Sequence, residues 1–246
     1  MTDTVNTGAV IWEGPSALDG ESVVLVLAAR DGSTNTKTGP LQQLYILRAD
    51  MDPQTASRTG ADASICGDCR HRGVIGADGQ LRGRTCYVVL WQGPRSVYAT
   101  YRAGRYPRVD LETGAHMLVA RPTRVGAYGD PAAIPAPVWQ TLRPGLRAGS
   151  TAYTHQWRTR PDLMAFCMAS VDSPNEYAEA KAAGWRTFRV ARVDEQLAAR
   201  EIACPASSEA GKRTTCAACK ACGGLAARAR ADIAIQVHGP GARLFA

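Results

Sequence analysis

Two groups of cysteines constrain the fold of this chain more than any other feature of its sequence. The chain has eight cysteines, and seven of them fall into a group of three and a group of four. The first group is Cys66, Cys69 and Cys86, and the second group is Cys204, Cys216, Cys219 and Cys222. Thiols separated by two residues can face one metal centre across a tight turn, whereas a CxxCxxC run cannot place all three thiols along one flat strand or helix face. The sequence therefore predicts a metal-binding protein.

The second group supplies four thiolates, which satisfy either a tetrahedral zinc ion or a [4Fe–4S] cube. Small neighbours such as Ala217, Ala221 and Gly223 leave room for a bulky centre and for amide N–H groups directed at sulfur. The spacing is similar to that of ferredoxin-type clusters, although the Cys204-Pro205 pair precedes the CxxCxxC run. We expect an iron–sulfur cluster here. The alternative is a zinc ion that ties the C-terminal segment to the domain without a catalytic role.

The first group has three cysteines, and three protein ligands leave one coordination position open, as a reactive metal centre requires. His71 is a candidate fourth ligand, and a Cys₃His set would make a closed zinc site instead. Cys167 could also complete this group. A lone cysteine in an apolar run is, however, more typical of core packing.

The composition favours a polyanionic partner and a reducing compartment. The net charge of the 246-residue chain is +7, and arginine, whose guanidinium suits phosphate and carboxylate, dominates its 29 basic residues. We expect a nucleic acid or a nucleotide as partner. No apolar stretch is long enough to span a bilayer, and the N-terminus lacks the basic and apolar regions of a signal peptide. These features indicate a cytoplasmic protein without a membrane partner, in which clustered thiols stay reduced.

The pattern of apolar runs predicts an α/β fold. Runs at residues 10–12, 22–27 and 43–47 have strand length, and a polar segment at 31–40 predicts a hairpin loop or a mobile flap. From about residue 120 the pattern alternates between strand and helix, with strands at 124–128, 163–169, 185–190 and 232–237. A helix should begin at Pro174, with a capping box of Ser173 and Glu176, and end at Gly184.

Strands that alternate with helices pair in parallel through right-handed crossovers. Only four or five such units fit in this length. We therefore predict a partial or distorted parallel (βα) barrel with a β-rich N-terminal addition. Residues 1–110 would carry the first cysteine group and residues 111–246 the second.

Polar residues follow several of the predicted strands, where sites form in parallel sheets. Asp130, His155 and Asp172 are the candidate catalytic residues, and Gly129 and Gln156 are candidates for binding a cofactor. Asp130 is also a good N-cap, and His155 could instead be a structural histidine bonded to a loop carbonyl.

A basic and aromatic stretch lies between residues 82 and 108. Arginines alternate there with aromatic residues such as Tyr87 and Trp91, as suits phosphate contact and base stacking. The alternative is a helix at 94–103 that packs its aromatic side chains inward and leaves its arginines outside.

Four motifs together resemble an uncharacterised cysteine-rich family of phages and plasmids. They are the residues before and within the first CxxC (59–69), Gly126–Pro131, Tyr153–Trp157 and the final cysteine run. That resemblance implies no established activity. More distantly, a partial α/β barrel with a cysteine triplet resembles the radical S-adenosylmethionine superfamily, whose usual triplet is CxxxCxxC, whereas this chain has CxxC with a later cysteine and CxxCxxC.

The expected function is that of an iron–sulfur enzyme with one or two [4Fe–4S] clusters, acting on a nucleotide or a nucleic-acid-related substrate by radical or Lewis-acid chemistry. The alternative is a phage or plasmid accessory protein that binds nucleic acid, has no catalytic activity and is held together by two closed Zn²⁺ sites. A third interpretation is a protein-interaction module whose metals only stabilise its N-terminal half.

Overall fold

A computed structural model of the protein describes residues 8–239 and 241–245. Within these residues the chain forms twelve strands and seven α-helices. The strands are β1 (Ala9–Pro15), β2 (Ser22–Ala28), β3 (Gln42–Arg48), β4 (Val74–Ile75), β5 (Leu81–Arg82), β6 (Thr123–Tyr128), β7 (Ser150–Thr151), β8 (Tyr153–Thr154), β9 (Met168–Val171), β10 (Thr187–Ala191), β11 (Glu201–Ala203) and β12 (Asp232–Gln236). The helices are α1 (Pro53–Thr59), α2 (Ala63–Cys66), α3 (Gly93–Arg102), α4 (Leu111–Val119), α5 (Ala136–Leu142), α6 (Pro174–Ala182) and α7 (Cys216–Cys219).

Ten of the strands form two five-stranded sheets that share one segment of chain. The first sheet has the order β1-β2-β3-β6-β7 and the second has the order β8-β9-β10-β12-β11. Strands β7 and β8 are separated by a single residue, the fully buried Ala152, so the chain passes directly from one sheet into the other. The predicted mixed α/β fold with parallel strands is confirmed, while the described strands form no closed barrel, since β1 and β11 are the outer strands.

Antiparallel pairing is confined to the N-terminal part and to one small hairpin. β1 pairs with β2, and β2 with β3, in antiparallel register. Within the two large sheets, every pairing from β3 onward is parallel. The hairpin of β4 and β5 lies between Cys69 and Cys86 and brings the two parts of the first cysteine group back together.

Most of the apolar runs form strands where the sequence predicts them. The runs at 10–12, 22–27 and 43–47 lie within β1, β2 and β3 or overlap them, and six of the seven residues of β2 are buried. Such continuous burial suits a central strand covered on both faces. The helix predicted at 94–103 is also present, as α3.

The strand predicted at residues 163–169 is wrong over its first half. Residues Pro161–Ala165 form a 3-10 helix, and the Cys167 amide donates to the Leu163 carbonyl at 2.8 Å. The strand β9 starts only at Met168. Leu163, Phe166 and Cys167 are buried although they are not in a strand, and a short apolar run alone does not distinguish a turn from a strand.

Helix α6 begins as predicted, but its capping box is only half formed. The Ser173 hydroxyl accepts a hydrogen bond from the Glu176 amide at 3.2 Å. The Glu176 carboxylate accepts from the Asp172 amide at 2.7 Å and not from the Ser173 amide. The N-terminus of this helix therefore fixes the backbone of Asp172, directly after β9.

The principal hydrophobic core contains residues from Val10 to Trp185 and so draws on both sides of residue 110. A smaller core cluster surrounds Cys204 and Cys222. No helix among the described residues is long and apolar enough to cross a membrane.

Candidate functional site

A cavity of about 330 Å³ lies against one face of the parallel strands. Alternate residues of each strand line it, for example Arg124, Gly126 and Tyr128 of β6 and Phe188 and Val190 of β10. Side chains two residues apart point to the same face of a strand. The cavity is therefore built by the inner face of the sheet, and the sequence pattern of the strands determines which residues reach it.

Both cysteine groups line this cavity. Cys66, Cys69 and Cys86 contribute from the first group, and Cys204 and Cys216 contribute from the second. All eight cysteines of the chain are free thiols. The structure thus brings two groups that are far apart in sequence to the wall of one small cavity.

The first group is held by two tight backbone connections. Cys66 ends α2, and the Cys69 amide donates to the Cys66 carbonyl at 3.2 Å. The Cys86 amide donates to the His71 carbonyl at 2.9 Å, which fastens the returning chain beside the CxxC turn. All three cysteines consequently line one cavity, although 16 residues lie between Cys69 and Cys86 in the sequence.

Burial and mutual repulsion disfavour thiolates in the first group. Burial raises the pKa of the Cys66 thiol well above its usual value, and the nearby Cys69 thiolate raises it further. Burial also raises the pKa of Cys86, while Arg84 and a hydrogen bond from the Val88 amide lower it. Several buried thiols with raised pKa values would be stabilised as thiolates by a bound cation.

The second group assembles around the single-turn helix α7. The Thr215 hydroxyl accepts from the Ala218 amide at 3.3 Å and caps this helix. Lys220 then adopts a left-handed conformation with φ of 54°, which turns the chain toward Cys222. Cys204 comes from the end of β11, where its amide donates to the Ala234 carbonyl of β12 at 2.7 Å.

The loop between β2 and β3 packs on this second group. The Cys216 amide donates to the Lys37 carbonyl at 3.2 Å, and the Ala217 amide donates to the Thr38 carbonyl at 2.9 Å. The polar segment predicted as a hairpin loop or a flap therefore connects the antiparallel strands to the cysteine run.

The four thiols of the second group are close enough to affect one another electrostatically. Burial raises the pKa of Cys222 to about 12, and the charges of Cys204, Cys216 and Cys219 add to this rise while a hydrogen bond to Tyr153 opposes it. Burial also raises the pKa of Cys204, and the Ala206 amide N–H that bonds to its sulfur lowers it. An amide directed at sulfur is the arrangement that stabilises a metal-bound thiolate.

His71, His155 and Asp172 form a compact group beside the first cysteines. His71 Nε2 lies 2.8 Å from Asp172 Oδ1, and His155 Nε2 lies 3.3 Å from Asp172 Oδ2. His71 Nδ1 is 2.7 Å from the Thr85 hydroxyl, and His155 Nε2 is 3.8 Å from the Cys69 sulfur. Among the described residues this is the one group of three or more His, Cys, Asp or Glu ligand atoms within 4.8 Å of one another.

The charges in this group reinforce one another. Burial alone would lower the pKa of His155, but interactions with Cys69 and Asp172 raise it well above its usual value. Burial would raise the pKa of Asp172, but hydrogen bonds from His155 and His71 lower it far below its usual value. The sequence placed His71 with the cysteines and the other two residues at strand ends; the structure places all three together.

Asp130 positions His155 through the backbone. Its Oδ1 accepts from the Ala132 amide at 2.9 Å, which is the predicted N-cap, and its Oδ2 accepts from the His155 amide at 2.8 Å. Burial raises the pKa of this carboxyl, and these backbone hydrogen bonds lower it. Asp130 lines the cavity, but both of its oxygens are engaged with the backbone.

Gln156 and Gly129, the candidate cofactor-binding residues, make close contacts within the protein. Gln156 Nε2 donates to Asp68 Oδ1 at 2.5 Å and to the Cys66 carbonyl at 3.4 Å, and so clamps the CxxC turn. Gly129 has a φ of 84°, and a Cβ there would lie 2.6 Å from the Ile46 carbonyl of β3. Through these contacts both residues stabilise the structure around the site.

Replacing Gly67 by alanine is expected to loosen the first cysteine group. Gly67 has a φ of 58°, and a Cβ there would lie 2.6 Å from Gln156 Cδ. A side chain in this conformation, and against this neighbour, should lower the free energy of unfolding by about 1–3 kcal/mol. Urea unfolding measures the effect. Gly79→Ala is the control, because Gly79 has a similar φ of 74° with nothing within 4 Å of the added Cβ. Equal losses in the two variants would show that the Gln156 contact contributes nothing.

Arg124, Tyr153 and Lys37 also line the cavity, and the sequence did not identify them as site residues. Tyr87 of the basic and aromatic stretch lines it as well. The Arg124 guanidinium donates to the Tyr87 hydroxyl and lies 5.7 Å from the centre of its ring. The available signal was the period of two along β6 and β8, which places Arg124 and Tyr153 on the cavity face.

Several arginines of the basic stretch are occupied within the protein. Arg82 pairs with Asp78 at 2.5 Å, and Arg108 pairs with Glu13 at 2.7 Å. Arg102 donates to the Ala49 carbonyl at 3.0 Å, and Arg84 donates to the carbonyls of Cys86 and Val88. The nucleic-acid partner stays a prediction.

Cys167, the cysteine outside both groups, lies fully buried in the principal core.

Comparison with protein-family models, with curated proteins and with solved structures finds no match to this chain.

Proposed function

We propose that the protein is an iron–sulfur enzyme whose small-molecule substrate binds in the cavity between its two cysteine groups. The observation that carries this proposal is the shared cavity, which thiols of both groups line. A single small cavity with convergent polar groups is the usual location of an active site. Eight free thiols suit a reducing compartment such as the cytoplasm.

Backbone amides directed at sulfur support an iron–sulfur cluster. The Ala206 amide bonds to the Cys204 sulfur, and the Val88 amide bonds to the Cys86 sulfur. Such hydrogen bonds suit cluster ligation.

The first group would hold the reactive centre. Cys66, Cys69 and Cys86 supply three thiolates, so a [4Fe–4S] cube held there would keep one iron open for Lewis-acid or electron-transfer chemistry. His155, 3.8 Å from the Cys69 sulfur, can donate or accept a proton in the cavity. Asp172 and His71 orient its imidazole, and Asp130 holds its backbone. The second group would be an auxiliary centre.

We further propose that the parallel strands curve into a partial barrel. Residues of β6, β8, β9, β10 and β12 line one cavity, as expected where a sheet is concave toward its contents.

A second candidate function rests on the compact group of His71, His155 and Asp172. Two imidazole nitrogens and one carboxylate within 4.8 Å can hold a single iron or zinc ion with open positions. The Cys69 sulfur lies beside them. In this case the protein would be a mononuclear metal enzyme that uses the same cavity.

Anaerobic purification followed by iron, zinc and acid-labile sulfide analysis tests these proposals. We expect about eight iron and eight sulfide per chain if both groups hold a cube, or about four of each if only one group does. The protein should show the broad visible absorption of Cys-ligated cubes. One metal ion per chain without sulfide, lost in Asp172→Ala, would favour the mononuclear enzyme. About two zinc ions without sulfide, even after anaerobic reconstitution, would contradict the proposal and favour the zinc-held, nucleic-acid-binding alternative.

A further inference from the structure

Arg124 is a cavity-lining cation without an acidic partner. Its side chain projects from β6 onto the cavity face, and among the described side chains no carboxylate forms an ion pair with it. Its hydrogen-bond partner is the Tyr87 hydroxyl. A half-buried guanidinium whose charge is not balanced by a carboxylate is a ready binding site for a planar anionic group.

Lys37 adds a second cation on the neighbouring wall. It lines the same cavity from the loop between β2 and β3, and the described residues include no ion-pair partner within 4.0 Å of its ammonium. Its charge also interacts with Glu209 and with the Cys204 and Cys216 thiols. Both cations therefore lie at this end of the cavity without a carboxylate at ion-pair distance among the described residues, and both can contact an anionic ligand.

The remaining wall is apolar and aromatic. The rings of Tyr153 and Phe188 lie 4.2 Å apart between centroids, and Val190 and Ile235 extend the same wall. Such a wall suits a flat ring that stacks on aromatic side chains. The volume of about 330 Å³ is at the lower end for a small-molecule site.

We propose that the cavity binds a small phosphomonoester that carries a flat heterocycle, with its phosphate on Arg124 and Lys37 and its ring against Tyr153 and Phe188. A phosphomonoester carries a charge of about −1.5 to −2 at neutral pH, which matches the two cations. This inference rests on the proposed function, because it names the substrate class of the same cavity. A nucleoside monophosphate has the required charge and shape.

Calorimetric titration with adenosine 5′-monophosphate and with adenosine, on anaerobically purified protein, tests the proposal. We expect saturable binding of the monophosphate at one site per chain, with adenosine at least about tenfold weaker, a difference of about 1.4 kcal/mol. Arg124→Gln and Lys37→Gln should each weaken binding of the monophosphate at least about tenfold, and Arg124→Lys less. Arg95→Gln is the matched control, since Arg95 is exposed and lies outside the cavity lining, and its affinity should equal that of the wild type.

The same titrations can also overturn the inference. Absence of saturable binding, equal affinity for adenosine, or an Arg124→Gln affinity equal to that of Arg95→Gln would overturn the inference. Iron and sulfide analysis of the same samples separates the two proposals. Loss of iron in Arg124→Gln with unchanged affinity would mean that Arg124 only balances the charge of the second cysteine group. Metal-free wild-type protein that still binds the monophosphate would contradict the proposed function and leave the anion site in place.

Discussion

Replacing Cys86 by alanine is expected to remove one metal centre and to leave the other intact. The iron content should fall from about eight to about four atoms per chain, because each cube holds about four. Cys86 belongs to the first group, and its thiol is half-buried, so the substitution deletes a ligand with little loss of packing.

Cys219→Ala should have the same effect on iron through the second group, with a larger fall in melting temperature, because the second group joins β11, α7 and the β2–β3 loop. Iron and sulfide analysis with thermal unfolding measures both.

Cys167→Ala is the control for these two variants. Cys167 is the eighth cysteine, fully buried in the principal core, so its loss should cost packing while the metal content stays at the wild-type level. If Cys86→Ala retains all of its iron, or loses the iron of both groups, the assignment of Cys86 to a separate centre is wrong. Loss of iron in Cys167→Ala would instead identify it as a ligand.

Replacing Glu201 by glutamine is expected to lower the free energy of unfolding by about 1.5–3 kcal/mol, because it removes the charged acceptor of a buried two-bond pair and leaves Glu195 as the remaining carboxylate partner of Arg189. Arg189 of β10 donates two hydrogen bonds to the Glu201 carboxylate of β11, both at 2.7 Å, and the two side chains are 2% and 0% exposed. The pair reaches across β12, in which Ala234 is in register with Arg189 and Asp232 is in register with Glu201. Because Cys204 follows β11 directly, the variant should also bind less iron at the second group. Urea unfolding and iron analysis measure the two effects.

An exposed pair of the same geometry provides the comparison. Arg158 donates to both oxygens of Glu179 at 2.8 and 2.6 Å, but the side chains are 44% and 53% exposed. Glu179→Gln should therefore change the free energy of unfolding by no more than about 1 kcal/mol. Equal losses in Glu179→Gln and Glu201→Gln would show that burial does not increase the contribution of the Arg189–Glu201 pair to the free energy of unfolding.

The sequence predicted local turns and helix caps better than it predicted the conformation of longer apolar segments. The spacing of Cys66 and Cys69 requires a turn, and the capping signals of Asp130 and Ser173 act locally, so each of these features could be seen within a few residues. The segment at 163–169 shows the limit of such evidence. Its apolar residues are buried as expected, but a 3-10 helix and a strand bury them equally well.

The sequence by itself determined the residue types, the local turns and the period of the strands. These properties depend on neighbouring residues, on side-chain chemistry and on backbone preferences. Only the tertiary structure decided that both cysteine groups line one cavity, that His71 lies against Asp172, and that Arg124 is a cation without a carboxylate partner among the described residues. Each of these contacts joins residues that are far apart in the chain. They form because the connections between the strands return to the two sheets and bring together segments that are far apart in sequence.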